Sequence, residues 1–146
     1  MQPVIKVVKA HQRIELPRYE SNGAAGLDLR AFLETDEIIP PLGRAKISTG
    51  LKIELPDGFE AQVRHRSGLA LKTGLTVLNS PGTIDSDYRG EVEIILFNAG
   101  QENVTITDGM RIAQLVVAPV CRVQIAGTDT LNDTLRGSGG FGSTGV

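Results

Sequence analysis

The sequence is poor in the residues that build disulfides and zinc sites. Its 146 residues include one cysteine, Cys121, two histidines and no tryptophan. A lone cysteine cannot form a disulfide within the chain, and so few thiol and imidazole groups leave little for a structural zinc site. We therefore expect a reducing compartment, the cytoplasm. Cys121 falls in a β-rich run, where a buried cysteine is usually inert packing.

Long apolar runs and an excess of positive charge are also missing. No stretch approaches the length needed to span a bilayer, and the first ten residues lack the apolar region of a signal peptide. The formal net charge of −2 argues against broad binding to nucleic acid or to a membrane surface, which needs a basic field. With 40% hydrophobic and 22% charged residues, the chain has the composition of one globular domain.

Short β-rich runs separated by glycine and proline dominate the sequence, and no amphipathic helix of three turns is evident. The runs cover residues 5–8, 38–39, 45–49, 60–64, 75–78, 91–97, 104–106, 112–117 and 120–125. Many short strands at this spacing predict an all-β, single-domain sandwich or barrel of the jelly-roll kind. One brief helix is predicted over residues 67–72, with Ser67 as its N-cap.

The C-terminal tail differs from the rest. Five of the ten residues 136–145 are glycine, and glycine loses so much backbone entropy on ordering that a mobile tail is expected. We therefore divide the chain into a β domain over residues 1–135 and a flexible arm over 136–146. In the alternative interpretation the glycine amides form an anion-binding nest. Phe141, a lone aromatic among glycines, then needs a face to stack on.

The densest polar segment covers residues 82–91 and joins two strand-like runs, so it is predicted to be a loop or hairpin at a sheet end. Its sequence is Gly-Thr-Ile-Asp-Ser-Asp-Tyr-Arg-Gly-Glu. A carboxylate placed there can act as a general base if it reaches a bound water. The alternative is a turn in which Asp and Ser side chains cap backbone amides, and composition alone favours that turn.

Three further segments carry polar side chains. Residues 64–70 place Arg64, Arg66 and Ser67 at the start of the predicted helix, which favours an anion, although a solvated basic turn explains them equally well. Asp28 and Gln114 lie in strand-like runs. The simpler interpretations are a surface or buried-pair carboxylate for Asp28 and a structural hydrogen-bonding amide for Gln114. Together the arginines, hydroxyls, glycine amides and carboxylates suit a polyphosphate with Mg²⁺. They do not identify a base.

Five of these segments occur in the order of the five motifs of the trimeric deoxyuridine triphosphate nucleotidohydrolases (dUTPases). They are Ala-Gly-Leu-Asp-Leu-Arg at 25–30, Arg-Ser-Gly-Leu-Ala at 66–70, the segment 79–90, Gly-Met-Arg-Ile-Ala-Gln at 109–114, and the tail 136–145. The chain resembles this family over most of its length. The resemblance implies a jelly-roll subunit in a homotrimer, with three chains contributing to each active site and the tail arriving from a neighbour.

The activity that the resemblance implies is hydrolysis of dUTP to dUMP and pyrophosphate, with Mg²⁺ as cofactor and water attacking the α-phosphorus. Such an enzyme limits uracil in DNA and supplies dUMP for dTMP synthesis. Asp85 resembles the general base, and Tyr88 resembles the ring that packs under the deoxyribose and excludes a 2′-hydroxyl. Asp28 resembles the carboxylate that touches Mg²⁺ through water.

The resemblance also implies a set of substrate contacts. Asn79 and the hairpin backbone at Gly82, Thr83 and Ile84 would read the uracil edge, while Phe141 stacks over the ring. The phosphates would be held by Arg66, Ser67 and Gln114 and, from the tail, by Arg136, Ser143 and Thr144. Gly68 and Gly142 complete the substrate-binding set.

One residue departs from the family pattern, and two other functions stay open. His65 stands where the second motif usually has proline, so the backbone there is less fixed. The first alternative is a dCTP deaminase on the same fold, although the base-recognition segment of those enzymes differs from residues 82–88. The second is a nucleotide-responsive binding module that signals to a protein partner, although the sequence shows no added domain or insertion for one.

Overall fold

Residues 2–145, the part of the chain that this computed structural model describes, contain ten β-strands and one short helix. In chain order they are β1 (Lys6–Lys9), β2 (Leu27–Arg30), β3 (Glu37–Ile39), β4 (Arg44–Glu54), β5 (Phe59–Arg64), α1 (Ser67–Thr73), β6 (Leu75–Val77), β7 (Gly82–Ile84), β8 (Glu91–Asn98), β9 (Val104–Ile106) and β10 (Arg111–Pro119). The all-β prediction is confirmed.

The strands form two four-stranded antiparallel sheets and one small two-stranded sheet. The first has the order β1-β4-β8-β6, the second β2-β10-β5-β7, and the third pairs β3 with β9. Most strands bury alternate residues, as expected when one face of a sheet covers a core. Buried side chains from both larger sheets meet in one hydrophobic cluster, which is the arrangement of a jelly-roll sandwich.

Strand β8 illustrates how the sequence determines this packing. Val92, Ile94 and Leu96 point into the core, and the next inward position is Asn98, which is fully buried. Its amide donates to the carbonyls of Ile39 at 2.9 Å and Glu102 at 2.7 Å, while its oxygen accepts from the amide of Gly100 at 2.8 Å. Because every polar atom of Asn98 is satisfied, this polar core position ties β8 to the small sheet.

Two predicted elements differ in the structure. The predicted strand over 120–125 is absent, and Val123 and Ile125 are 72% and 89% exposed. A strand needs a neighbour along its length for its backbone groups, and residues 2–119 offer this segment one backbone hydrogen bond, from the Val120 amide to the carbonyl of Gly58 at 2.8 Å. Cys121 is therefore exposed rather than buried, so inert core packing is the wrong interpretation for it.

The helix is at the predicted place but is capped differently. Arg66, not Ser67, is the N-cap residue, and no side chain makes a capping hydrogen bond. Ser67 is instead the first helical residue, so its hydroxyl is one position too far along the chain to cap. The helix ends at Gly74 in the left-handed conformation, φ 77°, which glycine adopts without strain. Within residues 2–145 no helix is long and apolar enough to cross a membrane.

Candidate active site

The predicted site residues fall into three separate groups. The first lines a depression of about 350 Å³ between β2, β10 and the start of α1, which we call the arginine cleft. Its lining residues are Glu20, Ala24, Ala25, Gly26, Asp28, Arg66, Ser67, Gly68, Arg111 and Gln114. All residues outside the tail that were predicted to contact phosphate line the arginine cleft, and so does the predicted metal contact.

Asp28 is the electrostatic centre of the arginine cleft. One carboxylate oxygen lies 3.3 Å from Nε of Arg66, and the other accepts from Nη1 of Arg111 at 3.2 Å. The Asp28 side chain is 15% exposed, against 27% for Arg66 and 44% for Arg111. The prediction that Asp28 is a paired carboxylate is confirmed. Because one anion faces two cations, these three side chains carry net positive charge into the cleft.

Gln114 holds the backbone of the arginine cleft in place. It pairs with Asp28 on one side of β10 and with Arg64 on the other, and its Nε2 donates to the carbonyl of His65 at 3.0 Å. The structural interpretation of Gln114 is thus confirmed. A Cβ on Gly26 would overlap the Gln114 carboxamide oxygen, so an added methyl group there would displace this carboxamide. The bond to His65 constrains a position where proline would otherwise fix the chain.

The start of α1 supplies unpaired backbone donors to the same cleft. The first intrahelical bond runs from Ala70 to the carbonyl of Arg66, so the amides of Ser67 and Gly68 make no bond within the helix. Both residues are exposed. With no acidic residue in the first turn, the helix dipole and the neighbouring guanidiniums act in the same direction and favour an anion.

The second group surrounds strand β7 and the turn that follows it. These residues line a cleft of about 270 Å³, the hairpin cleft, which is formed by Lys46, Val63, Asn79, Gly82, Thr83, Ile84, Asp85, Tyr88, Glu91, Val92, Glu93 and Ile95. Pairing with β5 places Gly82 opposite Val63 and Ile84 opposite Ala61. The sequence interpretation of 82–91 as a loop or hairpin is refined, since its first three residues form an edge strand.

Backbone and side-chain hydrogen bonds make the hairpin turn rigid. The amide of Tyr88 donates to the carbonyl of Asp85 at 3.2 Å, and Nη1 of Arg89 donates to the carbonyls of Ser86 at 2.6 Å and Tyr88 at 3.0 Å. The Tyr88 hydroxyl donates to the carbonyl of Glu91 at 3.0 Å. The turn therefore presents its remaining side chains on a fixed frame.

Asp85 is exposed at the mouth of the hairpin cleft. Within residues 2–145 its carboxylate accepts no hydrogen bond, and neither it nor Ser86 caps a backbone amide through its side chain. The alternative of a turn held by Asp and Ser caps is therefore wrong. An exposed carboxylate with free lone pairs is able to orient and deprotonate a water molecule.

The arginine and hairpin clefts lie at opposite edges of the same sheet. Asp28 is on the edge strand β2 and Thr83 on the edge strand β7, with β10 and β5 between them. Three inter-strand steps separate the two edges by about 14 Å. The clefts share no lining residue, so one chain does not bring its phosphate-type contacts and its hairpin residues into one pocket.

The third group is the tail, which contacts neither cleft. Arg136, Phe141, Ser143 and Thr144 are exposed, and Phe141 is so completely. Their hydrogen bonds are local: Nε of Arg136 donates to the carbonyl of Gly139 at 2.8 Å, and the amide of Ser143 donates to the carbonyl of Gly140. Gly142 adopts φ 88° in one of these turns. Within residues 2–145 the tail therefore lies away from both clefts of its own chain.

A model of the dUTPase family matches residues 12–145 of the chain. The chain belongs to the dUTPase family. The match includes every residue of both clefts and all the predicted tail contacts. A deoxyuridine 5′-triphosphate nucleotidohydrolase of Rhizobium rhizogenes is 55% identical over 148 aligned positions, which cover 99% of this chain and 95% of that protein.

Solved dUTPases share the fold at low sequence identity. A mutant of the Staphylococcus bacteriophage 80alpha dUTPase with dUpNHpp superposes with a TM-score of 0.88 at 23% identity, over 98% of this chain and 99% of that one. A mutant dUTPase from the S. aureus phage phi11, described with a coordinated structural Mg(II) ion, has a TM-score of 0.79 at 20% identity over 89% and 99% of the two chains. At these identities the likeness concerns the fold alone.

The sequence did not predict that two further residues, Arg111 and Glu91, belong to this dUTPase-family site. Arg111 pairs with Asp28 because β10 shifts its register between Arg111 and Ala113, and no local sequence signal predicts such a shift. Glu91 lines the hairpin cleft, and its charge at the end of the polar segment was the available signal.

Proposed function

We propose that this protein hydrolyses dUTP to dUMP and pyrophosphate, with Asp85 as the general base for attack of water on the α-phosphorus. The observation that carries the proposal is the exposed Asp85 carboxylate, free of partners within residues 2–145, at the mouth of a cleft shared with Asn79 and Tyr88. Family membership supports the same reaction.

The hairpin cleft suits a pyrimidine deoxynucleoside. Its wall includes Asn79 and the backbone of β7 at Gly82, Thr83 and Ile84, and the side of Gly82 lies close to the Asn79 amide. Rigid backbone groups select a base strongly, because a wrong ring leaves buried donors or acceptors unpaired. Tyr88, half exposed in the same cleft, would pack under the deoxyribose and leave no room for a 2′-hydroxyl.

The arginine cleft suits the triphosphate. Arg66 and the amides of Ser67 and Gly68 would contact phosphate oxygens, and Gln114 either contacts them directly or holds the loop that does. Charge neutralisation and positioning are the main requirements of phosphoryl-type displacement, so fixed cations and aligned amides are appropriate catalytic groups.

The donor set fits magnesium that arrives with the nucleotide. Within the described part of the chain no three His, Cys, Asp or Glu side chains converge. The arginine cleft is lined by two carboxylates, Asp28 and Glu20, and Glu20 pairs with Arg18 at 3.2 Å. Mg²⁺ typically keeps several waters and binds through one or two carboxylates and the substrate phosphates, so Asp28 would contact it through water. When bound, the ion would neutralise charge that develops on the phosphate oxygens.

A homotrimer explains the separation of the three groups. One chain keeps its two clefts on opposite sheet edges and its tail outside both, which supports a site that would draw on residues from other copies. Exposed apolar side chains in the C-terminal segment also support an assembly: Val123, Ile125, Leu131 and Leu135 are at least 72% exposed. In an assembly they would be covered.

The tail would close over a neighbour's site once nucleotide is bound. Phe141 would stack on the uracil, and Arg136, Ser143 and Thr144 would hold the β- and γ-phosphates, with Gly142 allowing the close approach. The full exposure of Phe141 in the single chain supports a role that requires another surface. Closure of this kind excludes water from the reacting phosphates. The division into residues 1–135 and a flexible arm over 136–146 and the cytoplasmic location stay predictions.

Pyrophosphate release from dUTP, UTP, dCTP and dTTP, with Mg²⁺ and then with excess chelator, tests the activity. We expect magnesium-dependent release from dUTP alone. Asp85→Asn should keep nucleotide binding but lose turnover by about 10² or more, whereas Asp57→Asn, which alters an exposed carboxylate outside the hairpin cleft, should not. Ammonia release from dCTP, or an active Asp85→Asn protein, would refute the assignment.

A further inference from the structure

The ring of Tyr88 is held by the residues that immediately follow it. Its hydroxyl donates to the backbone carbonyl of Glu91 at 3.0 Å. A Cβ on Gly90 would overlap the phenol oxygen and ring carbons of Tyr88, so the ring lies back against the Gly90 backbone. The orientation of this ring therefore depends on where the chain at Gly90 and Glu91 is placed.

Glu91 in turn is bound to a bulge in the neighbouring strand β4. One oxygen of its carboxylate accepts from the Ser48 hydroxyl and from the Gly50 amide, the latter at 2.8 Å. The register of β4 against β8 shifts between Ser48 and Lys52, and Gly50 adopts φ 68° at that shift. A bulge leaves residues out of the regular ladder, and the Glu91 side chain supplies the closer of two acceptors for the Gly50 amide, the other being the Ser48 hydroxyl oxygen at 3.2 Å.

Glu91 therefore contacts β4 in two ways: it pairs with Lys52 in the sheet ladder, and its carboxylate binds the bulge, while its carbonyl accepts from Tyr88. Glu91 is partly buried, and it lines the hairpin cleft beside Tyr88 and Asp85. Glu93, two residues further along β8, instead pairs with the mostly exposed Lys46. Of the two acidic residues in β8, only Glu91 forms hydrogen bonds with the bulge.

We propose that Glu91 is a positioning residue that sets the sugar selectivity of the enzyme by fixing Tyr88. This inference rests on the proposed function, in which Tyr88 packs under the deoxyribose. Removal of the Glu91 carboxylate leaves the Ser48 hydroxyl without its acceptor. The Gly50 amide then keeps only its longer bond, to the Ser48 hydroxyl oxygen at 3.2 Å, so the bulge and the start of β8 shift. The Glu91 carbonyl moves with them and releases the Tyr88 ring.

Kinetics with two sugars test the proposal. We compare kcat/KM for dUTP with kcat/KM for UTP in the wild type and in the Glu91→Ala, Glu91→Gln and Tyr88→Ala proteins. Misplacement by about 1 Å costs up to about 100-fold in rate, so Glu91→Ala should lower the dUTP preference by about 10-fold to 100-fold, towards the Tyr88→Ala value. Glu91→Gln keeps an acceptor oxygen and should keep the preference.

The matched control is Glu54→Ala, which removes an exposed carboxylate from β4 that pairs with Lys6 outside either cleft. It should keep the wild-type preference. Should Glu91→Ala fold poorly, Ser48→Ala removes one of the two donors instead and should lower the preference by a smaller factor. A wild-type dUTP preference in soluble, folded Glu91→Ala protein would overturn the proposal.

A second measurement does not depend on substrate. The chain has two tyrosines, so 3-fluorotyrosine incorporated into a Tyr19→Phe protein labels Tyr88 alone. We expect one ¹⁹F resonance that shifts or broadens in Glu91→Ala and is retained in Glu91→Gln. An unchanged resonance in Glu91→Ala would overturn the positioning role. Absence of dUTP hydrolysis by the wild type would overturn the proposed function instead, and the resonance would then decide alone whether Glu91 fixes Tyr88.

Discussion

Replacing Asp28 by asparagine removes the charge at the centre of the arginine cleft while keeping the shape of the side chain. In the native protein one carboxylate lies within 3.3 Å of both Arg66 and Arg111. An asparagine offers one acceptor oxygen and turns an NH₂ donor towards the other guanidinium. Two cations are then left side by side with no compensating anion, which lowers the stability of the folded state.

The magnitude follows from the exposure of the three side chains. Exposed ion pairs contribute about 0–1 kcal/mol, whereas removing one partner of a buried pair costs about 3–5 kcal/mol. Asp28 is 15% exposed and its two partners are 27% and 44% exposed, so we expect an intermediate loss of about 2 kcal/mol. For a chain of this size that corresponds to a fall in Tm of about 4–8 °C.

Thermal unfolding followed by circular dichroism at matched protein concentration measures this loss. The control is Glu54→Gln. Lys6 lowers the pKa of the Glu54 carboxyl through a hydrogen bond, so the pair exists at neutral pH, but both side chains are well exposed and Tm should hardly change. A double-mutant cycle with Arg111→Ala should show coupling to Asp28. An unchanged Tm in Asp28→Asn with no such coupling would refute the reasoning.

Three further predictions concern packing, the tail and the core. Gly26→Ala should displace the Gln114 carboxamide and raise KM for dUTP more than it lowers kcat, whereas Gly23→Ala, whose added methyl meets nothing, should have the kinetics of wild type. Deleting residues 136–146 should leave the circular dichroism spectrum unchanged and abolish most pyrophosphate release; full activity would exclude a lid. Asn98→Ala removes the three side-chain hydrogen bonds of this fully buried residue and should cost about 2–4 kcal/mol in urea unfolding, and a loss below about 1 kcal/mol would contradict the role of Asn98.

Sequence patterns located most strands because burial on one face leaves a period of two. The run 91–97 became β8, and 60–64 became β5, each within one residue. Strand β4 extends to Glu54, beyond the predicted 45–49, because the bulge near Gly50 interrupts the alternation without ending the strand. Register shifts of this kind depend on a partner strand and leave no local signal, which is also why the contact of Arg111 with Asp28 was not predicted.

The residues of the candidate site were easier to predict than their spatial relation. Six predicted residues from 79–88 do meet in the hairpin cleft, and five from three other segments meet in the arginine cleft. The sequence of one chain cannot show that these clefts lie on opposite sheet edges. The failed strand at 120–125 has the same origin, since its β-rich composition was interpreted as a strand, although residues 2–119 leave Val123 and Ile125 72% and 89% exposed.

Asp28 and Asp85, the carboxylates proposed as cation contact and as general base, have different environments that suit these two roles. An ionised carboxylate offers about four acceptor positions. Asp28 uses two of them on Arg66 and Arg111, so these positions are not open to a substrate water. Its remaining positions suit the waters of a hydrated cation. Asp85 is exposed and none of its positions is occupied within the described chain, so it alone is free to accept a proton from an attacking water. This difference in hydrogen bonding, which the shared residue type does not reveal, supports the assignment of base to one and cation contact to the other.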